Sequence, residues 1–200
     1  MGIYIDYLTI KTYNMGKLSS FQFLTLNGYY KGANNDTSWH QHGGEESDYA
    51  NEGLQSNSIL LFGRTTYEMM AGFWPTPQAL ESMPEMARGM NASEKIVVSS
   101  SLQKASWNNS RIIKGNLEAA ITQLKKESKK DITILGSGSI VRQLASAGLI
   151  DEYQVMIDPV ALGQGTSLFE GISDQLDLQL IHHRVFNSGV VLLSYQPRKN

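Results

Sequence analysis

The chain has 200 residues (22.2 kDa), 41% hydrophobic and 18% charged, enough to bury a core; this excludes a disordered, collagen-like or coiled-coil protein. Its 17 basic and 19 acidic residues give a net charge of −2, leaving no basic surplus for a nucleic-acid backbone, so no nucleic-acid partner is expected. It has no cysteine, which excludes disulfides, thiolate metal sites and cysteine nucleophiles.

Residues 1–16 read as an N-terminal tail or as an edge strand over Ile3–Ile10, because Met15-Gly16-Lys17 stands just before the first convincing strand. No apolar run reaches the ~18–20 residues that would span a membrane, and no signal-peptide pattern opens the chain. The expectation is a cytoplasmic protein without a membrane partner. One domain is expected over residues 17–196, with a short tail at 197–200.

Leu18–Leu26 is apolar and aromatic, ends at the turn pair Asn27-Gly28, and predicts a strand. Residues 31–44, rich in Gly, Asn, Asp and His, predict a long polar loop, a common location for functional groups. Glu45–Gln55 predicts a helix, and Ser58–Phe62 a buried parallel strand. Helices are expected over Thr65–Ala71 and Pro77–Met90, and a strand over Lys95–Val98. Asn116 is a good N-cap for Leu117–Ser128, whose Leu117, Ala120, Ile121 and Leu124 share a face. Asp131–Leu135 predicts a strand, Ile140–Ala147 a helix stopped by Gly148, and Tyr153–Ile157 another strand. Leu176–Phe186 and Val190–Tyr195 flank Asn187-Ser188-Gly189 as a hairpin. Strands separated by helices imply an α/β fold with a mostly parallel central sheet, the hairpin adding antiparallel strands at one side.

Ligands of such sheets bind at the carboxyl ends of the strands, where three segments end in small or hydroxylated residues. Gly136-Ser137-Gly138-Ser139 lets the backbone approach a ligand in front of a helix N-terminus, which suits phosphate. It is neither a complete dinucleotide fingerprint, since Val141 replaces the third glycine, nor a P-loop. Gly63-Arg64-Thr65-Thr66 combines a guanidinium fork, hydroxyls and helix N–H groups, a set suited to a phosphate monoester. Ser99-Ser100 would complete that pocket. Together the three turns point to NADPH, with Arg64, Ser99 and Ser100 on the extra phosphate and Gly136–Ser139 on the pyrophosphate.

These motifs, followed by Leu149-Ile150-Asp151-Glu152-Tyr153 and Ile157-Asp158-Pro159-Val160-Ala161-Leu162-Gly163-Gln164-Gly165, resemble the dihydrofolate-reductase-like superfamily. The likeness is to the branch related to the C-terminal reductase domain of the bifunctional riboflavin-biosynthesis deaminase-reductase. It implies a three-layer α/β/α fold, NADPH as cofactor and hydride transfer to a pyrimidine- or pterin-type small molecule. It assigns Gly63, Arg64, Thr65, Thr66, Ser99 and Ser100 to the adenosine phosphate, Gly136, Ser137, Gly138, Ser139 and Ile140 to the pyrophosphate, and a homodimer to the terminal hairpin. The deaminase's zinc signature is absent.

Two departures bear on catalysis. The family's Ser-Leu-Asp-Gly is Thr25-Leu26-Asn27-Gly28 here, and an asparagine carries no charge. The substrate-contacting threonine of folate enzymes is Val155, which disfavours a dihydrofolate reductase. A carboxylate is expected on the helix before the Gly-Arg turn, and Asp48 is the candidate acid, with Glu45 and Glu52 on roughly the same face. Trp39 could stack on a heterocycle and His40 donate a proton, so Thr25, Asn27, Trp39 and His40 are the candidate substrate contacts. A metal at His40-x-His42 is disfavoured by loose spacing. His182 and His183 point to opposite faces of a strand and read as structural. The alternatives are a dihydrofolate-reductase-like enzyme and a catalytically weak NADPH-binding module.

Overall fold

A computed structural model describes residues 15–40 and 43–198. The tail-or-strand reading of residues 1–14 and the pairing of His40 with His42 lie outside them. Among the described residues ten strands and six α-helices follow in order: β1 Leu18–Thr25, β2 Tyr29–Gly32, α1 Gly44–Gln55, β3 Ile59–Gly63, α2 Arg64–Phe73, α3 Pro77–Ser82, α4 Pro84–Ala92, β4 Lys95–Val98, β5 Ser110–Ile113, α5 Leu117–Glu127, β6 Ile132–Ile134, α6 Gly138–Ser146, β7 Glu152–Asp158, β8 Gly165–Ser167, β9 Leu178–Val185 and β10 Val191–Pro197.

Eight strands form one sheet in the order β5-β4-β3-β6-β1-β7-β10-β9. From β5 to β7 every pairing is parallel, and the β9–β10 hairpin adds two antiparallel strands beside β7. Alternation along the strands divides the core between the two faces. Ile59, Leu61, Ile96 and Tyr153 pack with Ile121 and Leu124 of α5 and with Val141 and Leu144 of α6. Leu60, Phe62 and Val97 pack with Tyr67 of α2 and Met90 of α4. Met156 and Leu192 continue that second face beside Phe21, Phe23 and Tyr49 of α1. The result is the expected α/β/α sandwich.

At the amino end of the sheet, carboxylates fasten strand starts. Asp151 accepts from the Leu18 amide at 2.7 Å and from Lys125 Nζ at 2.6 Å, and Asp131 accepts from the Lys17 amide at 2.8 Å. Asp151 in the family-like Leu-Ile-Asp-Glu-Tyr segment thus holds the fold, away from the carboxyl ends of the strands.

Three elements differ from the sequence expectation. The expected loop over residues 31–44 begins inside β2, which pairs antiparallel with β8 from a turn-rich stretch far along the chain. The helix expected over Pro77–Met90 is two, interrupted at Met83, because Pro84 has no amide to continue the ladder and instead starts α4. Strand β5 was not anticipated; its four residues pair with β4 alone.

Candidate active site

The carboxyl ends of β5, β4, β3 and β6 open on one cleft of about 570 Å³. Gly63, Arg64 and Thr65 contribute from the β3–α2 turn, Ser99 and Ser100 from the end of β4, and Ser137, Ser139 and Ile140 from the β6–α6 turn. All three phosphate-type turns therefore meet in one place. Sequence reasoning missed a fourth contribution, Gly115, Asn116 and Glu118 at the start of α5, together with Ser101 and Gln143. The signal was present: Gly115-Asn116 ahead of an amphipathic helix places another helix N-terminus at a strand end, and without β5 its position could not be read.

Three helix N-termini, α2, α5 and α6, thus face the same space. That of α5 is capped by Asn116, whose side chain accepts from the Ala119 amide at 2.9 Å. Those of α2 and α6 carry no side-chain cap, so their first amides are not committed to a capping side chain. Such groups, at the positive end of a helix dipole, form an anion-binding set. Arg64 is the cation among the described cleft residues and Glu118 the anion. The Arg64 side chain is half exposed and donates to Glu68 Oε2 at 2.9 Å, one turn along its own helix. This exposed pair is weak, and its guanidinium keeps further N–H donors for a phosphate.

Close backbone packing shapes the glycine turns. Gly136 has φ +119°, its peptide bond to Ser137 is cis, and Thr66 packs against it from behind rather than lining the cleft. A Cβ on Gly138 would fall 2.7 Å from the Tyr30 ring, and one on Gly63 would fall 2.5 Å from Ser137 Oγ. Ser137 and Ser139 hydroxyls hydrogen-bond each other at 2.7 Å. Ser99 Oγ accepts from the Ser101 and Leu102 amides, so Ser99 builds its turn while the adjoining Ser100 is exposed.

The candidate substrate residues lie farther along the same line of strand ends. Thr25, buried at the end of β1, donates to Asn27 Oδ1 at 2.8 Å and accepts from the Tyr29 amide at 3.0 Å. Asn27 holds the Leu162 backbone from both sides, donating to its carbonyl at 2.7 Å and accepting from its amide at 3.2 Å. Their polar atoms are occupied in joining the turn after β1 to the loop after β7. Trp39 is half-buried and donates to the Asp36 carbonyl; the Asp36 carboxyl is itself held below the usual carboxylate range by hydrogen bonds from Ser38. His40 is buried, and its Nδ1 lies 3.0 Å from both carboxylate oxygens of Asp158.

Asp48 does not join this group. The phase of α1 is set by Tyr49, which packs against Phe21 and Phe186, and by Glu46, the buried residue of the helix. Asp48 lies two residues from Glu46, on the opposite side of the cylinder, and is exposed. The Glu46 carboxylate accepts from the Ser188 hydroxyl. Glu45 binds Asn187 of the same hairpin turn. His182 and His183 are both exposed on β9. Among the described residues no group of three or more His, Asp or Glu is placed to hold a metal, and no helix is long and apolar enough to cross a membrane.

The family model of the RibD C-terminal domain matches residues 17–192. The uncharacterized protein YyaP of Bacillus subtilis (strain 168) is 28% identical over 174 residues, covering 86% of this chain and 90% of YyaP. Among solved structures, a protein assigned to riboflavin biosynthesis from Shewanella sp. PV-4 superposes with TM-score 0.72 at 19% identity, over 92% of this chain and 99% of that one. Dihydrofolate reductase from Enterococcus faecalis, complexed with NADP(H), gives TM-score 0.62 at 14% identity, over 94% and 99%. At these identities the structural likenesses speak for the fold, which is that of dihydrofolate reductase.

Proposed function

The chain belongs to the RibD C-terminal domain family, and on that premise we propose that it is an NADPH-dependent reductase acting on a pyrimidine- or pterin-type small molecule. The observation that carries this reading is the single cleft onto which three helix N-termini open, two without side-chain caps, beside one arginine. That donor set fits a ligand bearing a pyrophosphate and a separate monoester phosphate. Arg64, Thr65, Ser99 and Ser100 would hold the monoester, with Gly63 and Thr66 shaping their turn. Gly136, Ser137, Gly138, Ser139 and Ile140 would hold the pyrophosphate. When bound, the reduced nicotinamide supplies a hydride.

The chain's own part is to orient that ring and to receive the substrate beside Thr25, Asn27, Trp39 and His40. Asp48 is left out because it is exposed. The same reading places the protein in the cytoplasm as a homodimer, paired through edge strand β9, whose Leu180, Ile181 and Val185 are exposed. Sedimentation velocity checks the dimer.

Titration with NADPH and NADH, followed by nicotinamide fluorescence, tests the cofactor. Tighter binding of NADPH supports the reading, and equal binding overturns the pocket assignment. Consumption of NADPH across aminopyrimidines and dihydropterins then tests turnover. Binding without consumption would favour the NADPH-binding module, a reading to which the neutral Asn27 and the exposed Asp48 lend support.

A further inference from the structure

The cleft is not uniformly polar. At the corner made by β4, β5 and α5 its lining turns apolar. Val98 and Ile113, paired in register as the last residues of β4 and β5, stand beside Leu117, the first residue of α5. Val98 and Ile113 are half-buried, so apolar surface remains there to be covered. Such a shelf suits the face of a flat ring, which sheds water as it settles. Next along α5 is Glu118, exposed and the anion among the described cleft residues.

No side chain absorbs the charge of Glu118. Among the described residues nothing donates to its carboxylate. One turn along the helix, where a cation would pair with it, stand Ile121 and Thr122. The nearby Lys114 amine donates instead to Gln103 Oε1 at 3.4 Å. The dipole of α5 favours an acid at this position, which accounts for stability but not for a carboxylate beside an apolar shelf in a cleft suited to anions. A carboxylate only accepts, so it repels phosphate and calls for a ligand group that donates.

The strand order says which part of a dinucleotide reaches this corner. In the order β5-β4-β3-β6-β1, at about 4.8 Å per strand, the end of β5 lies roughly 10 Å from that of β3, on the side away from β1. A dinucleotide with its phosphates at the turns after β3 and β6 and its nicotinamide toward β1 therefore leaves its second base at β4 and β5. We propose that Glu118 is a specificity-determining residue for that base. Its carboxylate accepts a hydrogen bond from the exocyclic amine of a 6-aminopurine that rests on Val98, Ile113 and Leu117. The inference rests on the NADPH-dependent reading above. A 6-oxopurine turns a carbonyl oxygen toward the same carboxylate, so two acceptors meet with no proton between them.

The test uses the full chain, NADPH and its 6-oxopurine analogue, reduced nicotinamide hypoxanthine dinucleotide phosphate, each titrated by nicotinamide fluorescence. The wild-type chain binds NADPH about tenfold more tightly than the analogue, the scale of one hydrogen bond to a charged group. Glu118→Gln, whose amide can donate to the carbonyl oxygen, brings the two affinities to within about threefold, and Glu118→Ala does so by removing the acceptor. The urea midpoint of each variant is read alongside. Equal affinities in the wild-type chain, or a wild-type ratio retained by both variants, would overturn the assignment. A lowered midpoint with that ratio retained would leave Glu118 as a charge on the helix dipole only. The same titration with NADH and its hypoxanthine analogue separates this inference from the reading beneath it. Equal binding of NADPH and NADH with the aminopurine preference intact would overturn the phosphate assignment and keep that of Glu118. A wild-type chain that binds none of these nucleotides would overturn both.

Discussion

Arg64 and Glu68 are partners one turn apart on α2, joined at 2.9 Å at the edge of the cleft that Arg64 lines. The pair's exposure keeps it easy to displace. On the proposed cofactor reading, Arg64→Ala should lose charge-assisted bonds to the extra phosphate, worth about 1.5–3 kcal/mol, and so reduce a preference for NADPH over NADH by about 10- to 100-fold. Glu68→Gln should act in the opposite direction, raising NADPH affinity about twofold by releasing a pair worth roughly 0.3–0.5 kcal/mol. Fluorescence titration of both nucleotides against the three proteins measures both effects.

Gly138 begins α6 with the Tyr30 ring against it, so that a Cβ there would fall 2.7 Å from two ring carbons. Gly138→Ala should therefore cost about 1–3 kcal/mol, the usual penalty for overpacking, and weaken NADPH binding because the first turn of α6 must shift. Removing the obstacle should undo part of the damage. In a double-mutant cycle with Tyr30→Ala, the combined loss of stability in urea should fall short of the sum of the single losses by about 1 kcal/mol. Additive losses would show that the ring is not what confines the turn.

Local signals were legible and distant partners were not. A buried strand ending in glycine, serine or threonine before a helix is a pattern of consecutive residues, and Gly63–Thr66, Ser99-Ser100 and Gly136–Ile140 do meet in one cleft, with Thr66 and Gly136 packed together behind it. Strand β2 escaped notice because its partner β8 lies far along the chain and neither is apolar enough to stand out alone. The Asp158 partner of His40 is 118 positions away, with no spacing to reveal it. The inward side of α1 was hidden for a different reason. The acidic positions of α1 were legible, but which of them faces inward depends on Tyr49 finding Phe21 and Phe186, a tertiary contact that rotates Glu46 in and Asp48 out.

Asn27, read as a loss of the family's charge, has a structural task that an aspartate performs less well. Its amide donates to the Leu162 carbonyl at 2.7 Å while its oxygen accepts from the Leu162 amide and the Thr25 hydroxyl. Asn27→Asp keeps the acceptor but removes the donor and sets a negative oxygen against a carbonyl. The substitution should lower stability by about 1 kcal/mol, a modest loss because the position is exposed, read as a lower urea midpoint with an unchanged slope. A gain in stability would mean that the loop after β7 is held by other contacts.

Lys95 makes stability depend on pH in alkaline solution. Its side chain starts from β4, is fully buried, and donates to the carbonyls of Met90, Asn91 and Ser93 at the end of α4, with Nζ 4.5 Å from the Trp107 ring centroid. Burial pulls its amine from the ordinary 10.5 down to about 8. Below about pH 8 folded and unfolded chains both hold the proton, and the cost of the buried charge is present in full. Between about 8 and 10.5 the folded chain has released a proton that the unfolded chain retains, so this group makes stability rise with pH. Tyr153 acts in the opposite sense at higher pH. Burial raises its hydroxyl to about 12, so above pH 10 the unfolded chain loses that proton first and stability falls. Tyr49, also raised chiefly by burial, adds to the fall. The urea midpoint should therefore climb from pH 8 toward 10 and then decline. Lys95→Met should remove the climb and leave the decline, and a variant that still climbs would assign the rise to another group.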